Sequence, residues 1–383
     1  MKVLQVHNYY QQPGGEDTVV AEEAMLMRSK GWKVLQYLAH NDSLKSMSSV
    51  EKVASVTGTF WSKKHYDAIR KQLRTERPDI CHVHNFFPLI SPSVFDACKD
   101  ENIPVIMTAH NYRLMCANGL FLRNGMACEE CLASSMLHSI KYGCYRDSRA
   151  QTSAVAFAME WHHRKNTWNK SIDKIIALSE FMKQKMISKG VSASKILIKP
   201  NFIAVDRIEH KGPRTQLLFI GRLDKIKGAD LLLHVANAFP NRDIKVLGDG
   251  ELRAALSGKP NIELLGQQPK SVVLNEISKS YAVILPTRFY EGMPMTVIES
   301  FSQGTPVITS NHGALPEIVS HGNTGWLFTP NDPKSLIESV HSAFKATDSV
   351  ESMRISCFEE YMNKYSPEVN FSMLKAIYEH AIG

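Results

Sequence analysis

"QLLFIGRLDKIKGADLLLHVANAFPNRDIKVLGDGEL" occupies residues 216–252. It opens on a continuous apolar run, QLLFI, and passes through a loop carrying a glycine and several cations. An amphipathic stretch follows, and then a second apolar run, DIKVL, ends on a glycine turn. Apolar runs without polar alternation are strands covered on both faces, and an intervening helix makes successive strands parallel. The pattern recurs in both directions. KVLQVHN, KVLQYLA, DICHVHN and IPVIMTAH lie upstream; IELLGQ, AVILPTR and TPVITSN lie downstream, with helical patterns interspersed. The expected class is α/β, with two doubly wound sheets in series.

A chain of 383 residues exceeds one typical core. The stretch ILIKPNFIAVDRIEHKGPRTQ, rich in polar and breaker residues, marks a seam before a fresh strand at Leu217. The expected domains are 1–203 and 204–360, with a helical segment 361–383 packing back on the first. No apolar run approaches the roughly 20 residues of a membrane helix, and MKVLQVHNYY reads as a strand, so a cytoplasmic protein is expected. Residues 1–200 hold 27 Lys and Arg against 18 Asp and Glu; the remainder hold 18 against 20. A positive first half suits an anionic partner, although a solvated basic face explains the charge equally well.

Open α/β sheets bind ligands beyond the carboxyl ends of their strands, and the informative residues follow strands. Gly14 and Gly15 precede a helix, where backbone amides approach a phosphate closely. The G-x-G-x-x-G fingerprint of nicotinamide cofactors is not present there. Gly221 leads into a loop flanked by Arg222 and Lys227, a guanidinium fork and an ammonium suited to a diphosphate. Gly248 and Gly250 make a tight turn before Glu251, at an expected helix start. The stretch RFYEGMPMTVIES places Glu291 on a loop and Glu299 on the helix expected to begin near Pro294. Gly292, Met293 and Met295 offer amides at that positive helix end. A sugar–diphosphate–ribose ligand fits such an element, its phosphates on the amides and its polyol ends on the carboxylates.

Together, GRLDKIKG, VLGDGEL, FYEGMPMTVIESFSQGTPVITSNHGALPEIVSHGNTGWLFTPND and PGGED resemble the retaining glycosyltransferases of family 4, which have the GT-B fold. The resemblance spans nearly the whole chain. It implies that Glu291 contacts hydroxyls of a donor sugar and that Glu299 holds the nucleotide ribose. It implies that Arg222 and Lys227 neutralise the donor diphosphate, and that Gly15 approaches it from the first domain. His110 matches the family's histidine beside the reacting sugar; many relatives have Asp next, and here Asn111 stands instead. The implied activity is transfer of a hexose from a nucleotide sugar, UDP being the commonest base carrier, to a glycan or lipid-linked acceptor in surface polysaccharide synthesis. No D-x-D triplet supplies a metal site, so fixed cations are expected to stabilise the leaving diphosphate without one. An epimerase on the same fold and a non-catalytic binder of anionic ligands are the alternatives; no nucleic-acid partner is expected.

Two features lie outside that set. Cys116, Cys128, Cys131 and Cys144 follow a C-x11-C-x2-C-x12-C spacing within an insert, 113–148. Such spacing suits a structural Zn²⁺ site, with an iron–sulfur cluster or free thiols as alternatives. WSKKHYDAIRKQLRTER clusters Lys63, Lys64, Arg70, Lys71, Arg74 and Arg77 with Trp61, Tyr66 and Ile69 interleaved. It reads either as a peripheral contact with the inner face of an anionic membrane or as a solvated helix.

Overall fold

The computed structural model describes residues 1–10, 14–41, 58–346 and 349–383. They form two compact units. The first comprises Met1–Phe121, Glu129–Asn201 and Asn370–Gly383; the second comprises Leu122–Cys128 and Phe202–Val369.

The first half carries β1 (Lys2–Tyr9), β2 (Lys33–His40), β3 (Ile80–Val83), β4 (Val105–Ala109), β5 (Leu122–Arg123), β6 (Met126–Ala127), β7 (Lys174–Ala177) and β8 (Ile196–Ile198). Six of these make a parallel sheet in the order β2-β1-β3-β4-β7-β8. β5 and β6 form a short antiparallel hairpin. The second unit carries β9 (Gln216–Ile220), β10 (Ile244–Leu247), β11 (Ile262–Gly266), β12 (Ser280–Leu285), β13 (Val307–Ser310) and β14 (Gly325–Phe328). Its sheet runs β11-β10-β9-β12-β13-β14, also parallel. The expected α/β class with two Rossmann-like sheets is what forms.

Each sheet reverses its winding once, at β1/β3 in the first unit and at β9/β12 in the second. Helices leave to opposite faces at these points, so the flanking loops part and leave a ligand crevice at the strands' carboxyl ends. In the second unit the two loops touch. A Cβ on Gly228, whose φ is +73°, would lie 2.0 Å from the Pro286 carbonyl oxygen. Only glycine allows that approach.

The last helix, Pro367–Ile382, follows the second unit in sequence, yet Asn370–Gly383 belongs to the first. Leu374, Ile377 and Tyr378 pack with Val3, Met27, Ile80 and Ile106. The boundary lies later than the sequence implies, because Tyr361–Tyr365, a π-helical turn, stays with the second unit, where the Tyr361 hydroxyl donates to the Ile203 carbonyl at 2.9 Å. The Cys-rich insert is also divided. Its hairpin, Leu122–Cys128, joins the second unit, and the Asn331 amide donates to Gly125 O at 3.2 Å.

Candidate functional site

The second unit gathers its predicted residues at the β9/β12 switch point. Lys227, from the loop after β9, extends its ammonium to Glu291 Oε1 at 2.7 Å, from the loop after β12. The same ammonium lies 4.8 Å from the centre of the Phe289 ring. Asp224 accepts from Lys227 N at 2.8 Å and fixes the loop. Arg222 is largely exposed, and its guanidinium reaches Asp224 at 3.3 Å. The helix Met295–Ser302 begins directly after Pro294, which occupies the cap position with no side-chain hydrogen bond to its first amides. Those amides form a partial positive charge beside Glu291. Glu299 lies on this helix and Met293 is buried at its entrance. Gly221 and Gly248 face each other: a Cβ on Gly248 would meet Gly221 O at 1.9 Å. Glu251 sits in an exposed turn, and the helix there starts only at Arg253.

A pair of opposite charges, partly withdrawn from water and set beside an uncapped helix start, suits a polar anionic ligand. The family models agree. The model for Glycosyl transferases group 1 matches residues 203–356, and that for Glycosyltransferase Family 4 matches residues 13–207. The chain belongs to the GT-B glycosyltransferases. It is 24% identical over 392 residues to an uncharacterized glycosyltransferase of Methanocaldococcus jannaschii, covering 99% of this chain and 98% of that one. It is 29% identical over 225 residues to the lipopolysaccharide 1,6-galactosyltransferase of Escherichia coli, covering 54% of this chain and 62% of the relative. Among solved structures, a glycosyltransferase of Rickettsia africae superposes with a TM-score of 0.70 at 16% identity, covering 100% and 98% of the two chains. Anabaena HepE in complex with UDP superposes with a TM-score of 0.68 at 14% identity, covering 99% and 100%.

The first unit of this glycosyltransferase places Gly14 and Gly15 at the start of the helix Gly15–Ser29. Asp17 turns back to accept from Gly14 N at 2.8 Å, closing the helix end. His110 follows β4, and its Nε2 lies 3.1 Å from His84 Nδ1 with the rings stacked.

His84 belongs to a polar layer that the motif reading missed. Val3, Gln5 and His7 on β1 share a sheet face with Ile80 and His82 on β3 and His84 just beyond it, and with Ile106 and Thr108 on β4 and His110 just beyond it. The face is apolar at its lower end and polar toward the ligand edge. His82 Nε2 pairs with Thr108 Oγ1 at 2.8 Å, and its Nδ1 with the Tyr378 hydroxyl at 2.8 Å. Glu23 enters from the covering helix, with Lys199 Nζ 3.1 Å from its Oε2. The ammonium, followed by His82 and His84, holds the Glu23 carboxyl well below its usual range against the opposing effect of burial. Burial and neighbouring histidines push His84 down to about 3 and His110 well below its ordinary value, so both rings are neutral at pH 7. A signal was available. LQVHN, CHVHN and MTAHN each end a strand on His-Asn.

Two of these asparagines, Asn85 and Asn111, turn toward a second cluster around Glu16. Asn85 donates to Glu16 Oε1 at 3.1 Å, and Asn8 donates to Asn41 at 2.8 Å. Asn111 lies 3.4 Å from Glu16 Oε2. Burial, then the nearby Asp17 charge, pushes Glu16 up to about 8.

Two groups in the described residues bring three ligand atoms close enough to share an ion: Glu23, His82 and His84; and His7, Glu16 and Asp17. In the first, the Lys199 ammonium already supplies the positive charge. In the second, Asp17 is committed to His7 at 2.7 Å and to Gly14 N. The expected cysteine site forms no group of this kind among the described residues. No three of Cys116, Cys128, Cys131 and Cys144 meet in such a group. Cys116 is buried, its thiol is pushed up by that burial, and it donates to Asn118 Oδ1 at 3.0 Å. Cys128 belongs to the hairpin of the second unit.

The basic stretch forms a helix with a buried side. Lys63–Glu76 is helical, but Ile69 and Leu73 face the core. Arg70 and Arg74 both donate to Glu101 Oε1, at 2.5 and 2.7 Å, and Tyr66 bonds Asp100. Trp61, which opens this basic stretch, is exposed, as are Phe157 and Trp161 on the same unit. The two indoles border a cavity of about 540 Å³ lined also by Lys99, Lys165 and Lys170.

Proposed function

We propose that the chain is a retaining, metal-independent hexosyltransferase using a UDP-sugar, with a glycan or lipid-linked acceptor in surface polysaccharide synthesis. The Lys227–Glu291 pair at the β9/β12 switch point carries this reading. On a bound donor, Lys227 and Arg222 offset the charge growing on the departing diphosphate, and the amides at Gly292, Met293 and Met295 add to them. Glu291 moves from the ammonium to hydroxyls of the donor sugar, and Glu299 holds the ribose. The Anabaena neighbour, in complex with UDP, supports a uridine donor. His110 contacts the reacting sugar. The Asn111 that replaces the family's common Asp is engaged with Glu16 and with Arg113 N, so its role is structural support of the first unit's ligand edge.

Incubation with a panel of nucleotide sugars, with and without candidate acceptors, tests this. Transfer with retained anomeric configuration in the presence of a chelator is the expected result. Isomerised nucleotide sugar without acceptor would establish an epimerase, and binding without turnover would establish a ligand-binding protein.

No helix among the described residues is long and apolar enough to cross a membrane. We propose peripheral attachment through the Trp61–Trp161 cavity. Indoles sit at lipid headgroup level, and lysines are drawn to anionic lipid while being depleted from protein interfaces. The Lys165 ammonium lies 4.7 Å from the Trp161 ring centre. Flotation with anionic vesicles should recover the protein, and Trp61→Ala/Trp161→Ala should abolish recovery. Unchanged flotation of that variant rejects the assignment.

A further inference from the structure

The buried layer beneath the first unit's ligand edge has a direction. Its fixed point is Glu23, which is 1% exposed and ionised by Lys199 at 3.1 Å. Glu23 Oε1 lies 3.1 Å from His82 Nδ1 and 3.2 Å from His84 Nε2, and has no in-line hydrogen-bond donor among the described residues. Alignment is therefore not what sets the proton on His84; charge is. A neutral imidazole carries one N–H and one lone pair. With the proton on Nε2, the positive end of the bond faces the carboxylate. With the proton on Nδ1, a lone pair faces a carboxylate oxygen at 3.2 Å in a medium that screens poorly. The first arrangement wins. The Gln5 amide nitrogen lies 3.4 Å from the same ring nitrogen and would favour the opposite tautomer. It is neutral and more distant, and its oxygen is held the other way by Gln36 Nε2 at 3.3 Å, so it is outweighed by the carboxylate charge.

The choice propagates. If His84 holds its proton on Nε2, its Nδ1 is an acceptor. The partner of that Nδ1 is His110 Nε2, at 3.1 Å. Two neutral rings share this contact, so His110 must donate. Its Nδ1 is then a bare lone pair at the end of β4.

We propose that Glu23 and His84 are positioning residues that lock His110 as the Nε2–H tautomer, leaving Nδ1 as a fixed acceptor for a hydroxyl of the bound sugar. Lys199 keeps Glu23 ionised, and Thr108 with Tyr378 satisfies His82, so the lock does not depend on solvent. His110 can accept a hydrogen bond without rotating or taking up a proton. Its role in turnover rests on the donor-sugar reading above; the tautomer itself does not.

Nitrogen-15 spectra of the histidine-labelled, ligand-free full chain read the tautomer directly, with His110→Gln identifying the His110 signals. The expected wild-type pattern is a protonated Nε2 and a bare Nδ1. A protonated Nδ1 on His110 overturns the proposal. Glu23→Gln/Lys199→Met removes the carboxylate while keeping the layer neutral, and His84→Phe keeps a ring in the stack; thermal unfolding confirms that each folds. Both should relax His110 to a mixture of tautomers. Both should lower kcat by roughly tenfold or more, the cost of presenting the wrong tautomer, with donor KM little changed. A pure Nε2–H tautomer in both folded variants overturns the roles of Glu23 and His84. Should no nucleotide sugar be turned over, the spectra still decide the tautomer, and the transferase reading fails separately.

Discussion

Each unit winds a six-stranded parallel sheet about one switch point, but the two interiors differ. On β9, β12 and β13, Leu217, Phe219, Ala282, Ile284 and Ile308 join one hydrocarbon cluster. On β1, β3 and leading out of β4, the corresponding sheet carries Gln5, His7, His82, His84, Thr108 and His110, backed by Glu23 and Lys199. The second unit keeps its chemistry outside the sheet, on glycine-shaped loops, where a side chain can change without disturbing the core. The first unit draws its chemistry into the core, so its ligand edge and its stability are the same object. Substitutions in the two should therefore fail differently.

The largest effect belongs to the first unit. Glu23→Ala strands the Lys199 ammonium in the core, and removal of one partner from a buried pair costs about 3–5 kcal/mol. Denaturant unfolding should show this loss; a loss below about 1 kcal/mol would show that water reaches the layer. In the second unit, Lys227→Ala and Glu291→Ala should each lower turnover at saturating donor by roughly a hundredfold while the fold survives. Retention of more than about a third of the wild-type rate would remove the pair from the catalytic site.

Acid should separate the units next. His84 and His110 stay neutral in the folded chain, the former down to about pH 3, whereas an unfolded histidine takes its proton near pH 6.5. Their folded values are depressed, so the stability tied to their neutral form is complete above about pH 6.5 and drains as the pH falls, at about 1.4 kcal/mol per unit for each ring. Glu23, also depressed, adds a loss of the same sign below the ordinary carboxyl range, whereas Glu16, raised to about 8, acts with the opposite sign and offsets part of the two rings' loss. Hydrogen exchange between pH 7 and pH 4 should show Met1–Phe121 losing protection before Phe202–Val369. Simultaneous loss would mean that the layer does not govern the first unit. The smallest effect on stability is that of Arg222→Ala. Its side chain is 59% exposed, so unfolding should shift by no more than about 0.5 kcal/mol, while turnover falls if the guanidinium meets the diphosphate.

The sheets were legible because buried parallel strands write themselves as apolar runs. The loops after β9 and β12 were legible because glycine and charge follow those runs directly. Lys227 and Glu291 could each be named, but not their pairing, which depends on how the sheet winds. The histidine layer was obscured for a related reason. Taken singly, a histidine or glutamine within KVLQVHN is a minor interruption of a strand; only register across β1, β3 and β4 makes such interruptions neighbours. The basic helix was legible only in part. Its arginines were visible, but the Glu101 that engages two of them belongs to another stretch of chain. The cysteine insert was not legible in space, because loop spacing carries no distance.

The return of residues 370–383 to the first unit has a consequence for biogenesis. A ribosome delivers the strands of that unit first and its closing helix last. Until Tyr378 emerges, His82 lacks its hydroxyl partner and Leu374 and Ile377 leave their places beside Val3 and Ile80 unfilled. The second unit is nearly continuous along the chain and can close while the first waits. Clipping the nascent or mature tail would therefore injure the half of the molecule that was translated earliest.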